Sequence, residues 1–315
     1  AFVLQVGLAA QRRGARAVAA LASPIDAPLC ERFRSSLPFE LTDSQRQAVA
    51  QIGADLAGEV PMQRLLQGDV GSGKTVVALS ALLQVVAAGH QGAFVAPTEV
   101  LAEQHAASLR ALLEPLGMDA PDVRLLTGST TPAARREIHS AMNAAQPLIV
   151  VGTHALFQES VRFADLALVV VDEQHRFGVV QRSGLWQKGE QIHPHILIMS
   201  ATPIPRTLAM TLYGDLDISV IDELPPGRKP IETYHQSESE MYRVYQFLER
   251  QLEEGRQAYV VFPMIEESEE ESMRTLDEGF RRYSEHFAHR KIVRVHGKMK
   301  PDEKDEAMRS FVSGE

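Results

Sequence analysis

Short apolar runs alternate with longer amphipathic stretches along most of the 315-residue chain. Such runs are typical of strands buried on both faces, and the stretches between them have the spacing of helices. The runs that predict strands are RLLQ (64–67), GAFVA (92–96), VRLL (123–126), LIVV (148–151), LALVVV (166–171) and ILIM (196–199). Buried strands separated by helices predict an α/β fold built on a doubly wound parallel sheet.

Residues at helix ends support the same interpretation. The helical stretch 74–88 precedes Gly89, a residue type that favours the left-handed conformation at helix C-termini. Thr131 and Pro132 predict an N-cap and a first-turn proline for a helix that runs to about Ala144. Each of these helices would connect two strands, as a parallel sheet requires.

The pattern is interrupted once and then resumes. Residues 222–230, DELPPGRKP, combine proline, glycine and charge without periodicity and predict a linker. Beyond it, strands are predicted at 231–235, 258–262 and 291–295 and a helix at 301–312. Ser237 is a candidate N-cap for a further helix whose apolar face holds Met241, Val244, Tyr245, Leu248 and Leu252. We therefore expect four parts: a helical lead-in continuing from a preceding region (1–35), a first α/β domain (36–221), the linker (222–230) and a partial second α/β domain (231–315).

Composition narrows the class of protein. Hydrophobic residues make up 44% and charged residues 23%, which is ordinary for a soluble globular chain. No apolar run reaches the roughly 18–20 residues that span a bilayer, so we expect no membrane contact and a cytoplasmic location. Cys30 is the only cysteine, which excludes an internal disulfide and a cysteine-based zinc site.

The net charge of −9 is unusual for a partner of nucleic acid, because phosphate binding usually leaves a basic surface. Acidic residues are concentrated at 249–255 and 265–271, where a helix face and a solvated loop explain them. The overall charge therefore neither supports nor excludes a nucleic-acid partner.

The octapeptide GDVGSGKT at 68–75 fits the pattern G-x-x-x-x-G-K-[ST] directly after a predicted strand and at the start of a helix. Lys74 is placed for the β- and γ-phosphates of a nucleotide, and the Thr75 hydroxyl for a magnesium ion. Backbone N–H groups of the loop and of the helix start would hold the phosphates. The loop residues of this candidate ATP–magnesium site are Gly68, Gly71, Ser72 and Gly73.

Two adjacent carboxylates, Asp172 and Glu173, follow the apolar run at 166–171. Because parallel strands end at one edge of a sheet, we expect both near the phosphate loop. Asp172 would hold the magnesium ion, and Glu173 would orient and deprotonate the attacking water. A structural acidic pair at a helix start is the alternative, and the phosphate loop favours an ATPase site.

Three short motifs, DEQH (172–175), SAT (200–202) and LPFELTDSQ (37–45), resemble the second, third and Q motifs of superfamily-two helicases. Longer blocks resemble the RecG family of bacterial ATP-dependent DNA helicases from about residue 36 to the end. These blocks include LLQGDVGSGKTVVA, APTEVLAEQHA, VGTHALFQESVRF, VVVDEQHRFGVVQR, SATPIPRTLAMTLYGDLDISVIDELPPGRKP and VHGKMKPDEKDEAM. The resemblance implies a RecA-like P-loop NTPase fold followed by a truncated second RecA-like lobe.

The resemblance also implies roles for individual residues. Phe39 and Gln45 would contact adenine. Short hydroxyls, glycine and helix-start amides would line the DNA path and contact phosphates, at Pro97, Thr98, Thr127, Gly128, Thr153 and His154. Ordinary helix capping is the alternative explanation for these hydroxyls. Residues that would couple nucleotide to DNA or line the cleft between lobes are Gln174, His175, Arg176, Ser200, Thr202 and Arg206.

The implied activity is that of an ATP-dependent DNA helicase or translocase. It would regress replication forks and migrate Holliday junctions in recombination and repair, as a monomer on branched or duplex DNA in the bacterial cytosol near the nucleoid. The sequence shows neither the family's wedge domain nor its fifth and sixth motifs, which supply an arginine finger. Because such a finger is worth roughly 10³–10⁵ in rate, we expect slow hydrolysis with little stimulation by DNA.

Other functions fit less well. Transcription-repair coupling factors share the ATPIPRTL segment, but their second motif more often reads DEEQRFG than DEQHRFG. RNA-specific helicases usually carry DEAD or DEAH and lack the RFGVVQR extension. A non-hydrolysing nucleotide-dependent scaffold would not require Lys74 and Glu173, and a small-molecule kinase would not require the SAT motif.

Overall fold

The computed structural model describes residues 19–158, 161–172, 193–201, 216–223, 231–262, 269–297 and 299–314. Contacts between Cα atoms divide the chain into two units, Ala1–Lys229 and Pro230–Glu315. The division falls inside the predicted linker, while the bounds expected for the domains stay a prediction. None of the helices in the described ranges combines the length and hydropathy needed to cross a bilayer.

The first unit alternates strands and helices. Its strands are β1 (Gln63–Gly68), β2 (Gln91–Val95), β3 (Asp122–Leu126), β4 (Leu148–Gly152), β5 (Leu166–Asp172), β6 (His195–Ser200) and β7 (Asp217–Ile221). Its α-helices are α1 (Ala27–Ser36), α2 (Asp43–Leu56), α3 (Lys74–Ala87), α4 (Glu99–Leu113) and α5 (Pro132–Asn143), and short 3-10 helices span Glu114–Asp119 and His154–Phe157. Thr131 caps α5 and Pro132 opens it, as the sequence predicts.

The strands form one sheet in the order β3-β4-β2-β5-β6-β1-β7, and every pairing between neighbours is parallel. All six predicted strands of this unit are confirmed within one or two residues. β7 was not predicted, because this edge strand is only partly buried and lacks a continuous apolar run.

Both faces of the sheet are covered, which explains the continuous apolar runs. Along β5, Leu168 and Val170 face a core shared with α1 to α4, whereas Val169 and Val171 face a second core shared with α5. Successive side chains of a strand point to opposite faces, so a strand that is buried twice has no polar positions. The predicted doubly wound sheet is therefore confirmed.

The described part of the lead-in packs onto this unit. Ser23 donates its backbone N–H to the carbonyl of Leu56 at 2.7 Å and accepts the side-chain amide of Gln84 at 2.7 Å through its own carbonyl. Phe33 of α1 is 2% exposed and belongs to the first core. Residues 19–36 thus share the core of the first unit, and residues 1–18 lie outside the described ranges.

The second unit contains α6 (Met241–Glu253), α7 (Glu269–His286) and α8 (Pro301–Ser313), preceded by a 3-10 turn at Glu238–Glu240. Tyr245 of α6 packs edge-on against Tyr283 of α7, with ring centroids 5.4 Å apart. The N-cap of α6 is Glu240 and not Ser237, because the 3-10 turn separates Ser237 from the helix. That prediction was wrong.

The three strands predicted in the second unit were also wrong. No strand is formed by the described residues of this unit, including 231–235, 258–262 and 291–295. A strand is stabilised by hydrogen bonds to a neighbour and by burial of its apolar side chains. Ile231 and Val261 are instead 79% and 84% exposed. The apolar pattern was present, but the pairing that would bury it is absent from these segments.

Candidate nucleotide site

The predicted phosphate loop connects β1 to α3 at the carboxyl end of the strand. β1 ends at Gly68 and α3 begins at Lys74. Gly71 and Gly73 have φ angles of 75° and 86°, in the left-handed region that residues with a Cβ rarely adopt. The path of this loop therefore requires glycine at both positions.

The start of α3 has the geometry of an anion site. Gly73 is the N-cap, and no side chain in the described ranges caps the helix. The N–H groups of its first turn consequently keep their partial positive charge. The hydroxyl oxygen of Ser72 is buried and has no hydrogen-bond partner among the described residues. An uncapped helix start beside an unpartnered hydroxyl suits a phosphate group.

The Lys74 amine is folded back over this loop. Its Nζ donates to the carbonyl of Gly68 at 2.8 Å and to that of Asp69 at 2.9 Å. An ammonium group carries three donors and no acceptor, so it suits both main-chain carbonyls and phosphate oxygens. The loop carbonyls thus hold the cation beside the N–H groups that would contact the phosphates.

The two predicted adenine contacts differ in their surroundings. Gln45 accepts the N–H of Thr42 at 2.9 Å, and its amide nitrogen donates to the carbonyl of Ser72 at 2.7 Å. It is 2% exposed, and a Cβ on Gly73 would overlap its amide. Phe39 is 44% exposed. Gln45 therefore connects α2 to the phosphate loop, while Phe39 presents an aromatic ring to solvent.

Asp172, the predicted magnesium ligand, ends β5 at the same edge of the sheet. β6 lies between β5 and β1, so two strand spacings, roughly 10 Å, separate Asp172 from the end of β1. Asp172 Oδ2 lies 2.9 Å from Nε2 of His105 in α4. The side chains of Asp172 and His105 are 13% and 16% exposed, so packing restricts the orientation of the carboxylate.

Ser200 lies at the end of β6, between these two groups. It is in register with Gln67 of β1, and the preceding residue, Met199, is in register with Asp172. Ser200 is 5% exposed. One of the predicted coupling residues is therefore adjacent to both strand ends. The other predicted residues of this edge, Glu173, Gln174, His175, Arg176, Thr202 and Arg206, lie outside the described residues.

Residues 42–211, more than half of the chain, match the DEAD/DEAH box helicase family. The chain belongs to that family. The match includes the phosphate loop and Asp172, and it confirms the predicted RecA-like fold.

Among individual relatives, the ATP-dependent DNA helicase RecG of Aquifex aeolicus is 44% identical over 310 residues, or 98% of this chain and 39% of that protein. The RecG protein of a Synechocystis species is 50% identical over 284 residues, or 90% of this chain and 34% of that protein. The solved structure of RecG bound to a three-way DNA junction matches with a TM-score of 0.80 and 39% identity, over 99% of this chain and 40% of that one. This DEAD/DEAH box helicase chain spans less than half the length of these relatives.

Thr98 and Thr153 carry two of the hydroxyls that were predicted to line the DNA path. In the structure each of them caps a helix. Thr98 accepts the N–H of the third residue of α4 at 3.3 Å, and Thr153 accepts an N–H of the following 3-10 turn at 3.5 Å. Thr98 is exposed and Thr153 is 4% exposed. Capping therefore explains both residues, and contact with DNA stays a prediction. Pro97 is half-buried, and the side chain of His154 lies outside the described part.

The loop after β3 contains the other two residues of the predicted DNA path. The hydroxyl of Thr127 is 2.8 Å from that of Ser129, and Thr127 is 1% exposed. Gly128 is exposed and donates its N–H to Glu99 Oε1 at 2.8 Å. Arg135 donates to the Thr127 carbonyl at 2.7 Å. Within this helicase loop, Gly128 is accessible and the Thr127 side chain is not.

Two residues that contact the helicase site, His105 and Glu223, were not predicted from the sequence. His105 lies seven positions after Thr98, beside the buried stripe of α4, and this spacing was a usable signal. Glu223 accepts the backbone N–H of Ser44 at 3.1 Å and its hydroxyl at 3.2 Å. The bond from the Ser44 N–H holds the pKa of Glu223 below its usual value. That contact joins residues 179 positions apart, so no local pattern indicates it.

Proposed function

We propose that this chain is the ATP-driven motor core of a DNA helicase or translocase that acts on branched DNA. The main support is the 39% identity and TM-score of 0.80 to RecG bound to a three-way DNA junction, taken with the phosphate loop and Asp172 at one sheet edge. Fork regression and Holliday junction migration in recombination and repair are the proposed tasks. We place this work in the bacterial cytosol.

The chain's own residues have separate roles in the proposed ATP site. N–H groups at the start of α3 and the Lys74 amine bind the phosphates, and Phe39 stacks on the adenine. Thr75 and Asp172 would hold magnesium. When bound, magnesium offsets the charge that develops during phosphoryl transfer. Glu173 takes a proton from the attacking water, which is a separate task from metal binding.

The proposed DNA path avoids the difficulty raised by a net charge of −9. Thr98 and Gly128 are exposed and carry no charge. The Thr98 hydroxyl accepts an N–H of α4 and keeps its own hydrogen to donate, whereas the Gly128 N–H is bound by Glu99 and would have to exchange that partner for a phosphate. Hydroxyl and N–H groups bind phosphate oxygens without reading bases. A motor that moves along DNA of any sequence requires contacts of this kind, and Ser200 lies between this surface and the nucleotide.

Nucleotide trapping tests the proposed ATPase. We expect Lys74→Ala to weaken binding of a fluorescent ATP analogue by at least about tenfold, because a charge-assisted bond contributes roughly 1.5–3 kcal/mol. Glu173→Gln should keep the wild-type affinity and lose hydrolysis, so that ATP stays bound. A scaffold that only binds nucleotide would be indifferent to Glu173→Gln, and that result would refute the enzymatic function.

The DNA arm of the same experiment uses a three-way junction and a linear duplex of equal length. We expect tighter binding to the junction, measured by fluorescence anisotropy in the presence of the ATP analogue. Equal affinity for both would contradict the preference for branched DNA and leave a duplex translocase. Binding of neither would contradict the proposed partner.

A further inference from the structure

His105 lies where α4 meets Asp172, the carboxylate proposed to bind the metal. The buried stripe of α4 consists of Ala102, Ala106, Leu109 and Leu113, and His105 is adjacent to it at helical spacing. Its ring also packs against Phe94 of β2, with ring centroids 4.6 Å apart, and Phe94 is fully buried. Packing therefore determines where the imidazole lies before any ligand binds.

The imidazole determines, in turn, how the Asp172 carboxylate is oriented. Nε2 lies 2.9 Å from Oδ2, and a carboxylate accepts, so Nε2 carries the hydrogen of this bond. Asp172 ends β5, and its backbone is in register with Met199 of β6. With the backbone held by the sheet and one oxygen held by His105, the rotation of the carboxylate is restricted. An unrestricted carboxylate would have to be ordered when the metal binds.

A second histidine–aspartate pair lies at the opposite ends of the strands. His90 and Asp165 precede β2 and β5, and His90 Nδ1 lies 2.6 Å from Asp165 Oδ2. The histidine side chains are similarly exposed, 19% for His90 and 16% for His105, whereas Asp165 is more exposed than Asp172, at 29% against 13%. The amino ends of the strands carry this pair, whereas the phosphate loop lies at the carboxyl ends. The two pairs are alike in chemistry and opposite in position.

We propose that His105 is a positioning residue for the magnesium–nucleotide complex, acting through the orientation of Asp172. The inference rests on the proposed ATP site. Groups that hydrogen-bond to metal-binding residues fix their orientation, and their loss typically costs 10–100-fold in metal affinity or activity. His105 would therefore set the magnesium concentration at which nucleotide is bound, without touching the nucleotide.

The test measures binding and not turnover. A fluorescent ATP analogue is titrated at saturating magnesium and again in excess EDTA, and magnesium is titrated at fixed analogue, with five variants of this chain. His105→Leu should raise the magnesium concentration for half-maximal binding by about tenfold and leave the affinity in EDTA unchanged. His105→Gln, whose amide nitrogen reaches the position of Nε2, should stay within about threefold of wild type. The shorter His105→Asn should resemble His105→Leu.

His90→Leu is the matched control, since it breaks the equivalent pair at the other edge. We expect it to lower the melting temperature and leave the magnesium requirement at the wild-type value. An unchanged requirement in both His105→Leu and His105→Asn would overturn the proposal. So would an equal shift in His90→Leu, because the effect would then reflect general destabilisation. If His105→Leu fails to fold, the contrast between His105→Gln and His105→Asn decides.

Lys74→Ala separates failure of this inference from failure of the proposed function. If Lys74→Ala binds the analogue as tightly as wild type does, the ATP site itself is wrong. If Lys74→Ala loses binding while the His105 variants keep the wild-type magnesium requirement, the site stands and the positioning role does not.

Discussion

The amino and carboxyl ends of the strands in the central sheet differ in how completely their polar groups are paired. At the amino ends of the strands, His90, Gln91 and His195 are paired with nearby main-chain or side-chain groups. At the carboxyl ends, α3 begins without a side-chain cap among the described residues, and the Ser72 hydroxyl has no partner there. The pairing at the amino ends stabilises the fold, whereas the groups without partners at the carboxyl ends can bind a ligand. Ligand binding outside the carboxyl ends of parallel strands follows from this asymmetry.

Gln91 and His195 show how complete the pairing is at the amino edge. Gln91 is fully buried, and its amide donates to the carbonyls of Met142 and Gln146 while its oxygen accepts the N–H of Asp165. His195 is also fully buried; its Nδ1 accepts the Met62 N–H at 3.0 Å, and Nε2 donates to a carbonyl at 3.1 Å. Buried polar groups with every partner in place make a fold specific and leave nothing to bind a substrate.

The largest expected effect comes from a methyl group at the carboxyl edge. Gly73→Ala places a Cβ at φ 86° and against the Gln45 amide. We expect nucleotide affinity to fall by at least about 100-fold, because strain of roughly 1–3 kcal/mol adds to the displaced loop. Titration of a fluorescent ATP analogue measures the change, with circular dichroism to confirm that the protein is folded.

Gly89→Ala is the counterpart at the other end of the same helix. Gly89 has φ 92°, but a Cβ there would meet no atom within 4 Å. Backbone strain of roughly 1 kcal/mol should lower stability and leave nucleotide affinity unchanged. Equal losses of affinity in the two variants would show that helix strain, and not the phosphate loop, causes the effect.

The elements that sequence predicts well are those whose signal is local. The six strands β1 to β6 carry continuous apolar runs, and the phosphate loop is defined by glycines and Lys74 within eight residues. Both depend on neighbours along the chain. Because the apolar runs alternate with helices, they can be expected to be buried on both faces of a parallel sheet. The sheet and the position of the phosphate loop at its carboxyl ends could therefore be inferred together.

The elements that were missed depend on partners distant in sequence. β7 is an edge strand that one neighbour pairs and partly buries. The apolar segments near Val261 were predicted as strands, yet no pairing among the described residues buries them. His105 and Asp172 are 67 positions apart, and only the packing of α4 on the sheet brings them into contact. Pattern indicates what a segment can bury, but not which segment it meets.

A smaller effect is expected when pairing is removed at the amino edge. Gln91→Leu removes the side-chain acceptor of the Asp165 N–H and one donor to each of the carbonyls of Met142 and Gln146. The Met142 carbonyl keeps the N–H groups of Ala145 and Ala164. We expect the free energy of unfolding to fall by about 1–2 kcal/mol, since a group left unsatisfied costs roughly 1–3 kcal/mol and the Met142 carbonyl keeps other donors, and nucleotide affinity to stay unchanged. Urea unfolding and the ATP-analogue titration together measure both.

Ser72→Ala is the corresponding substitution at the carboxyl ends of the strands, and it also removes a polar side-chain group. Its hydroxyl has no partner among the described residues, so its removal should leave the free energy of unfolding within about 0.5 kcal/mol of wild type. A loss as large as that of Gln91→Leu would mean that the two edges do not differ in the way described.

A further small effect concerns pH, and its sign follows from burial. Burial lowers the pKa of His195, and the bond to the Leu21 carbonyl only partly opposes this shift. Between the folded pKa and the unfolded value near 6.5, the unfolded chain binds a proton that the folded chain does not. His195 therefore contributes stability that is present above about pH 6.5 and lost as the pH falls.

His195→Asn keeps an acceptor for Met62 but cannot titrate. We expect it to lose roughly 1 kcal/mol at pH 8, for the missing bond to Leu21, and to lose less stability than wild type between pH 7 and 5. Urea unfolding across that range measures the slope, and an unchanged slope would show that the buried imidazole is not what makes the amino edge sensitive to acid.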